Sequence, residues 1–205
     1  MYITLINPSY PYGKNKIFMN GSWISIAARL IAMGHDVRML DLNIDRLDDL
    51  VVQTRLSASD IVGISLTVSP DIPGVTTLVE EIHKISQAKF LLGGQVVERL
   101  APEQFRKIFR NAMQVRDDND LAAVLGCEEK DIPSPDAVSF TPVYQLLGEE
   151  RLVLYLRTEG TLVVSQGCHF KCAFCAASKG MIERFRNLEI FAADLHYLAT
   201  IARKN

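Results

Sequence analysis

The chain has 205 residues, 48% of them hydrophobic, with 22 basic and 24 acidic side chains and a formal net charge of −2. That length suits one full core plus part of a second domain, and near-balanced charge without a polybasic run excludes electrostatic capture of nucleic acid. No stretch reaches the roughly 18 apolar residues of a membrane span, the opening residues lack a signal-peptide pattern, and 4 cysteines are too few for a disulfide scaffold; a soluble, cytoplasmic α/β protein is expected.

Taken in chain order, the first part alternates two kinds of segment. Short β-branched apolar runs at Tyr2 to Ile6, Val37 to Leu40, Ile61 to Leu66 and Phe90 to Leu92, with a weaker one at Ala112 to Val115, suit strands buried in a parallel sheet. Helical patterns fall between them, at Ser22 to Met33, Ile44 to Leu56, Ile72 to Ser86 and Pro102 to Arg110, with Asp120 to Leu125 as a last helix. Gly34 follows the first where a C′ glycine belongs. In the third, Ile72, Val75, Leu78, Val79, Ile82 and Ile85 form one apolar stripe. The pattern predicts a Rossmann-like, doubly wound five-stranded parallel sheet with ligands at the carboxyl ends of its strands.

The rhythm breaks over Gly126 to Pro142, where Pro133, Pro135 and Pro142 sit among Ser and Asp. The expected organisation is a first domain over 1–127, a linker over 128–152 and a second, partial domain over 153–205. In the latter, Val153 to Leu156 and Thr161 to Val164 read as strands, and Asn187 to Lys204 as a helix with Leu188, Phe191, Leu195, Leu198, Ala199 and Ala202 on one stripe.

Between that strand and that helix stand Gly167, Cys168, His169, Phe170, Lys171, Cys172, Ala173, Phe174 and Cys175. Three thiolates this close can converge on one soft metal centre, whereas disulfides between such neighbours would be strained and would leave one thiol over. On a four-iron cube, three cysteines leave one iron open, and an open position signals chemistry rather than scaffolding. The bland alternatives are a structural zinc site and chance clustering. Zinc lacks a good fourth ligand, because His169 is too close to Cys168 and Cys127 lies at the end of the first domain.

The spacing Cys168-x-x-x-Cys172-x-x-Cys175, with Phe174 before the last cysteine and Gly167 before the first, resembles the signature of the radical S-adenosylmethionine superfamily. The resemblance implies that Cys168, Cys172 and Cys175 hold a [4Fe–4S] cluster whose open iron chelates S-adenosylmethionine (SAM), and that Phe174 packs near the adenine. It also implies reductive cleavage of the sulfonium to a 5′-deoxyadenosyl radical, with an electron donor such as flavodoxin or ferredoxin as partner.

The order of a Rossmann-like domain, a linker and then the cysteine motif is similar to that of the radical SAM enzymes with an N-terminal cobalamin (B12)-binding domain. Asn7 and Pro8 after the first strand, Ser65, Leu66 and Thr67 at the end of the third, and Gly93 and Gly94 after the fourth stand where that domain binds its cofactor. Strand-end glycines let a flat ligand approach the backbone, and hydroxyls can bond its polar rim. One departure is that Pro8 to Gly13 carries no histidine to ligate cobalt, the histidines being His35, His83, His169 and His196. Cobalamin here would lack a histidine ligand, and loss of the cofactor with retention of the fold is the alternative.

A complete domain of that family is a barrel of βα units of about 30 residues each, whereas 30 residues follow Cys175. The expectation is a fragment, a truncated gene or one part of a split enzyme, with a second chain completing the barrel. Methyl transfer is the commonest outcome in the group. The competing readings are a cofactor-binding module with zinc or redox cysteines, and an inactive remnant. The substrate is not legible.

Overall fold

The computed structural model describes residues 1–9, 17, 19–67, 71–158, 160–167, 170 and 183–204. The chain begins with β1 (Tyr2–Asn7), α1 (Gly21–Ala32), β2 (Asp36–Asp41), α2 (Leu50–Ser57), β3 (Ile61–Ser65) and α3 (Ile72–His83). Then come β4 (Lys89–Gly93), α4 (Gln95–Arg99), α5 (Pro102–Ile108), β5 (Met113–Gln114) and α6 (Asp118–Leu125). A 3-10 turn (Glu129–Asp131), α7 (Thr141–Leu147), α8 (Glu149–Thr158), β6 (Ser165–Gln166), β7 (Arg184–Phe185) and α9 (Leu188–Lys204) complete it. No helix among the described residues is long and apolar enough to cross a membrane. The chain divides into two compact units, one of residues 1–15 and 35–132, the other of 16–34 and 133–205.

The first unit is the expected parallel sheet, in the order β2-β1-β3-β4-β5. Every pairing is parallel, with Ile6 beside both Leu40 and Ile64, and Ile64 beside Leu92. These residues lie on one face with Val62, Leu66 and Phe90, and α2, α3, α4 and α5 add Val52, Leu56, Val75, Leu78, Val79, Ile82, Val97 and Phe105 to a single core. Each such side chain contributes about 1.5–3 kcal/mol when fully buried. On the opposite face Ile3, Leu5, Val37, Met39, Ile61 and Leu91 are also buried, which is why the strands read as continuous apolar runs rather than alternating ones. Buried hydroxyls tie the ends together. Ser86 Oγ donates to the Leu56 carbonyl (2.7 Å) and accepts from Ala88 N–H (3.2 Å), and Thr4 and Ser59 share a hydrogen bond of 2.7 Å.

One expectation is corrected within this unit. The helix foreseen from Ile44 begins only at Leu50, because Asp41 to Asp45 is a turn in which Asp45 N–H donates to the Asp41 carbonyl and the Asp45 carboxylate accepts from Asp41 N–H. Asp49 then caps α2 by accepting from Val51 and Val52 N–H. The short helix α4 after Gly94 has only Val97 as its buried anchor and was not foreseen. The first helix, α1, does not cluster with the sheet whose first two strands it joins in sequence; it belongs to the second unit.

Within that second unit α1 buries Trp23, Ile24, Ala27, Ala28 and Leu30. Asn20 caps it by accepting from Ser22 and Trp23 N–H, and Arg29 Nε donates to the Pro133 carbonyl (2.7 Å). Thr158 Oγ1 reaches the Ile17 carbonyl (2.6 Å). The expected linker over 128–152 is largely helical, with Pro142 in the first turn of α7, where its missing N–H breaks no helical bond. Val153 to Leu156, expected as a strand, lies inside α8, where Leu152 and Tyr155 are buried one turn apart. A short apolar run does not by itself distinguish the two. The strand expected at Thr161 to Val164 is replaced by the two-residue β6, which pairs antiparallel with β7. The last helix, α9, forms as expected.

Candidate functional site

The sheet order reverses between β1 and β3, and in an open α/β sheet the crevice for a ligand lies at such a switch point, outside the carboxyl ends of the strands. Ile6 pairs with Ile64, which sets Asn7 and Ser65 level at this edge. Asn7 is fully buried and donates from Nδ2 to Asp41 Oδ1 (3.2 Å) at the end of β2. Asn43 secures the same carboxylate oxygen through its backbone N–H (3.0 Å) and its Nδ2 (2.7 Å). Pro8 follows, buried. Asn7 is thus part of a fixed floor.

The β3 and β4 ends form the other side. Ser65 pairs with Gly93. Leu66 is fully buried, its N–H donating to the Gly93 carbonyl (2.8 Å) and its carbonyl accepting from Val96 N–H (3.3 Å). Gly94 has φ 103° and packs so closely on this strand end that a Cβ would lie 2.7 Å from the Leu66 carbonyl oxygen. Only glycine satisfies both demands. Ser65 and Thr67 are half-buried, and among the described residues neither hydroxyl has a hydrogen-bond partner. The foreseen residues Asn7, Pro8, Ser65, Leu66, Thr67, Gly93 and Gly94 therefore share one edge of one sheet.

One residue at this edge was not foreseen. Asp71 lies on the connection from β3 to α3, is 3% exposed, and among the described residues has no hydrogen-bond partner on either carboxylate oxygen. It directly precedes α3 yet caps none of that helix's N–H groups, its backbone being αR (φ −80°, ψ −10°) rather than the extended form of an N-cap. Burial without a compensating charge holds its carboxyl above the ordinary range. In the sequence it was one acid among 24, with nothing to single it out.

Of the described histidines in this unit, none stands at this edge. His35 precedes β2 and His83 ends α3, so both belong to the opposite, amino-terminal edge. His83 packs on Phe90 with ring centroids 4.0 Å apart. His196 is exposed on α9, and His169 lies outside the described residues.

Cys168, Cys172, Cys175 and Phe174 also lie outside the described residues, but the stem flanking them does not. Ser165 pairs with Phe185 and Gln166 with Arg184, Ser165 Oγ donates to Glu183 Oε1 (3.2 Å), and Arg186 N–H donates to the Val164 carbonyl (3.0 Å). The stem is anchored by Arg186. Its Nη2 donates to Asp194 Oδ2 (2.5 Å) and to the Val138 carbonyl (3.0 Å), and its guanidinium lies 3.8 Å from the Phe140 ring centroid. Asp194 further accepts from Ser139 Oγ, Phe140 N–H, Thr141 N–H and Thr141 Oγ1 at 2.7–2.9 Å. Burial alone would push its carboxyl up, but the bonds from Arg186, Phe140, Ser139 and Thr141 outweigh it and hold the group below the ordinary range. Among the described residues no group of three His, Cys, Asp or Glu side chains could hold a metal ion.

The order β2-β1-β3-β4-β5 and the polar, glycine-bearing carboxyl edge define a Rossmann-like α/β domain. Residues 20–120 match the family model of the B12 binding domain, and the match takes in α1. Along 97% of its length the chain is similar to two structures of the radical S-adenosylmethionine methyltransferase TsrM from Kitasatospora setae. One has cobalamin and a [4Fe–4S] cluster bound (17% identity, TM-score 0.64, 46% of that chain covered). The other has tryptophan substrate and the SAM analogue aza-SAM bound (18% identity, TM-score 0.65, 45% covered). The chain thus spans less than half of each, and at this identity the likeness is one of fold. No curated protein sequence matches it.

Proposed function

We propose that this chain is the cofactor-loading part of a cobalamin-dependent radical S-adenosylmethionine enzyme, with methyl transfer as its reaction class. The observation that carries the reading is one of order: a B12-binding-type domain is followed by Cys168, Cys172 and Cys175 at radical SAM spacing. The fold likeness to a methyltransferase with both cofactors bound supports it.

The residues fit a corrin. The hydroxyls of Ser65 and Thr67, unpartnered among the described residues, would suit its carboxamide rim, and the Gly93–Gly94 turn would offer it bare backbone. Three thiolates suit an iron–sulfur cube with one iron left for SAM, and Phe174 would flank the adenine. When bound, the cobalamin supplies methyl-transfer chemistry and the cluster a low-potential electron. This chain's own residues bind and orient: the Asn7–Asp41 pair keeps the edge rigid, and the Arg186–Asp194 anchor fixes the stem of the cysteine segment. The further barrel strands that complete the substrate pocket come from a longer protein or a second chain, and the electron from a flavodoxin- or ferredoxin-like donor. The setting is cytoplasmic, where thiols stay reduced.

Anaerobic reconstitution with iron and sulfide, followed by titration with hydroxocobalamin, tests this. The expected outcome is a broad thiolate-to-iron absorbance lost in Cys168→Ser, Cys172→Ser and Cys175→Ser, together with saturable cobalamin binding. Tight zinc binding without that absorbance, or no uptake of hydroxocobalamin, refutes it.

A further inference from the structure

The unexplained group at the cofactor edge is the Asp71 carboxylate. A buried carboxylate normally accepts several hydrogen bonds, and leaving its oxygens without donors costs at least about 1–3 kcal/mol. Here, among the described residues, neither oxygen has one, although the residue is 3% exposed and α3 begins at the very next position. The nearest natural role, capping α3, is unused. Both ends of its connection bear on the candidate site: Ser65 to Thr67 on the strand side carry unpartnered hydroxyls, and α3 starts from the carboxyl edge of the sheet. A group that only accepts hydrogen bonds calls for a donor, and the polar rim of a corrin ends in carboxamide N–H groups on flexible arms.

We propose that Asp71 is a further cofactor-contacting residue of this edge, accepting hydrogen bonds from carboxamide arms of the bound corrin. The inference rests on the cobalamin reading above. It explains why the free protein keeps a costly acid: the residue is satisfied only in the loaded state, a strain held at a functional site. The opposite effects expected on binding and on stability separate this role from a structural one.

The test uses the full chain and hydroxocobalamin, comparing wild type with Asp71→Asn, and with Asp71→Ala should the first not fold. A hydrogen bond to a charged group is worth about 1.5–3 kcal/mol, so affinity should fall by about ten- to hundredfold. The cofactor-free variant should melt higher than cofactor-free wild type, because an unsatisfied buried carboxyl has been removed. Binding within twofold of wild type, or a parallel loss of affinity and melting temperature, overturns the assignment and leaves the cobalamin reading intact. If wild type itself does not bind hydroxocobalamin, both fall.

Discussion

Removing the Asp194 carboxylate is the sharpest probe of the second unit. Asp194 is 1% exposed, and the Arg186 side chain paired with it is 4% exposed. In Asp194→Ala the guanidinium keeps the Val138 carbonyl and the Phe140 and Phe191 rings, while Phe140 N–H loses its acceptor and Thr141 N–H is left with Ser139 Oγ at 3.2 Å. Breaking a buried pair from one side costs about 3–5 kcal/mol, and each orphaned backbone donor about 1–3 kcal/mol more where water does not replace the lost bond. Adding Arg186→Met removes the stranded charge but not the orphaned Phe140 N–H, so the double variant should recover only part of the loss. Urea unfolding, monitored so that the transitions of the two units are separated, reads both numbers. The sign of the pH dependence follows from the lowered carboxyl. Its stabilisation is complete above the unfolded value of about 3.9 and is lost as pH falls through the folded value below it. Asp194→Asn should therefore flatten the acid limb of the stability curve while lowering its neutral plateau. A loss below about 1 kcal/mol in Asp194→Ala would show that the anchor is not a buried, mutually dependent network.

Other substitutions test the first unit. Gly94→Ala should cost about 3 kcal/mol or more, since it imposes both a positive φ and a backbone clash with Leu66; thermal unfolding checks it, and a near-neutral result would refute the close approach. Ser86→Ala should cost about 1–2 kcal/mol by orphaning Ala88 N–H and removing a donor from the Leu56 carbonyl, measured by chemical denaturation.

Much of the first unit was legible because parallel strands covered on both faces write themselves as uninterrupted apolar runs. Ile61 to Leu66 and Phe90 to Leu92 announced β3 and β4 within a residue or two. The α3 stripe was equally plain, since Val75, Leu78, Val79 and Ile82 are the residues it buries. The polar, glycine-bearing edge was legible for a related reason: glycines and hydroxyls at strand ends must fall at one edge once the strands are parallel. Asp71 was not, because whether an acid is solvated or orphaned depends on what surrounds it rather than on its neighbours in sequence. Val153 to Leu156 misled because four apolar residues fit either period.

The sequence alone settled which segments of the first unit carry an apolar face, where its strands end and how the cysteines are spaced, since these are local properties of residue type and interval. Tertiary structure decided which body each face serves: α1 stands between two strands of the sheet in sequence yet clusters with residues 133–205, and Asp194 meets Ser139, Phe140 and Thr141 some 53–55 positions away. An amphipathic stripe specifies that something must cover it, and a buried charge that something must pair with it. Neither names the partner, because burial and pairing energies depend on distance in space, which chain order does not fix.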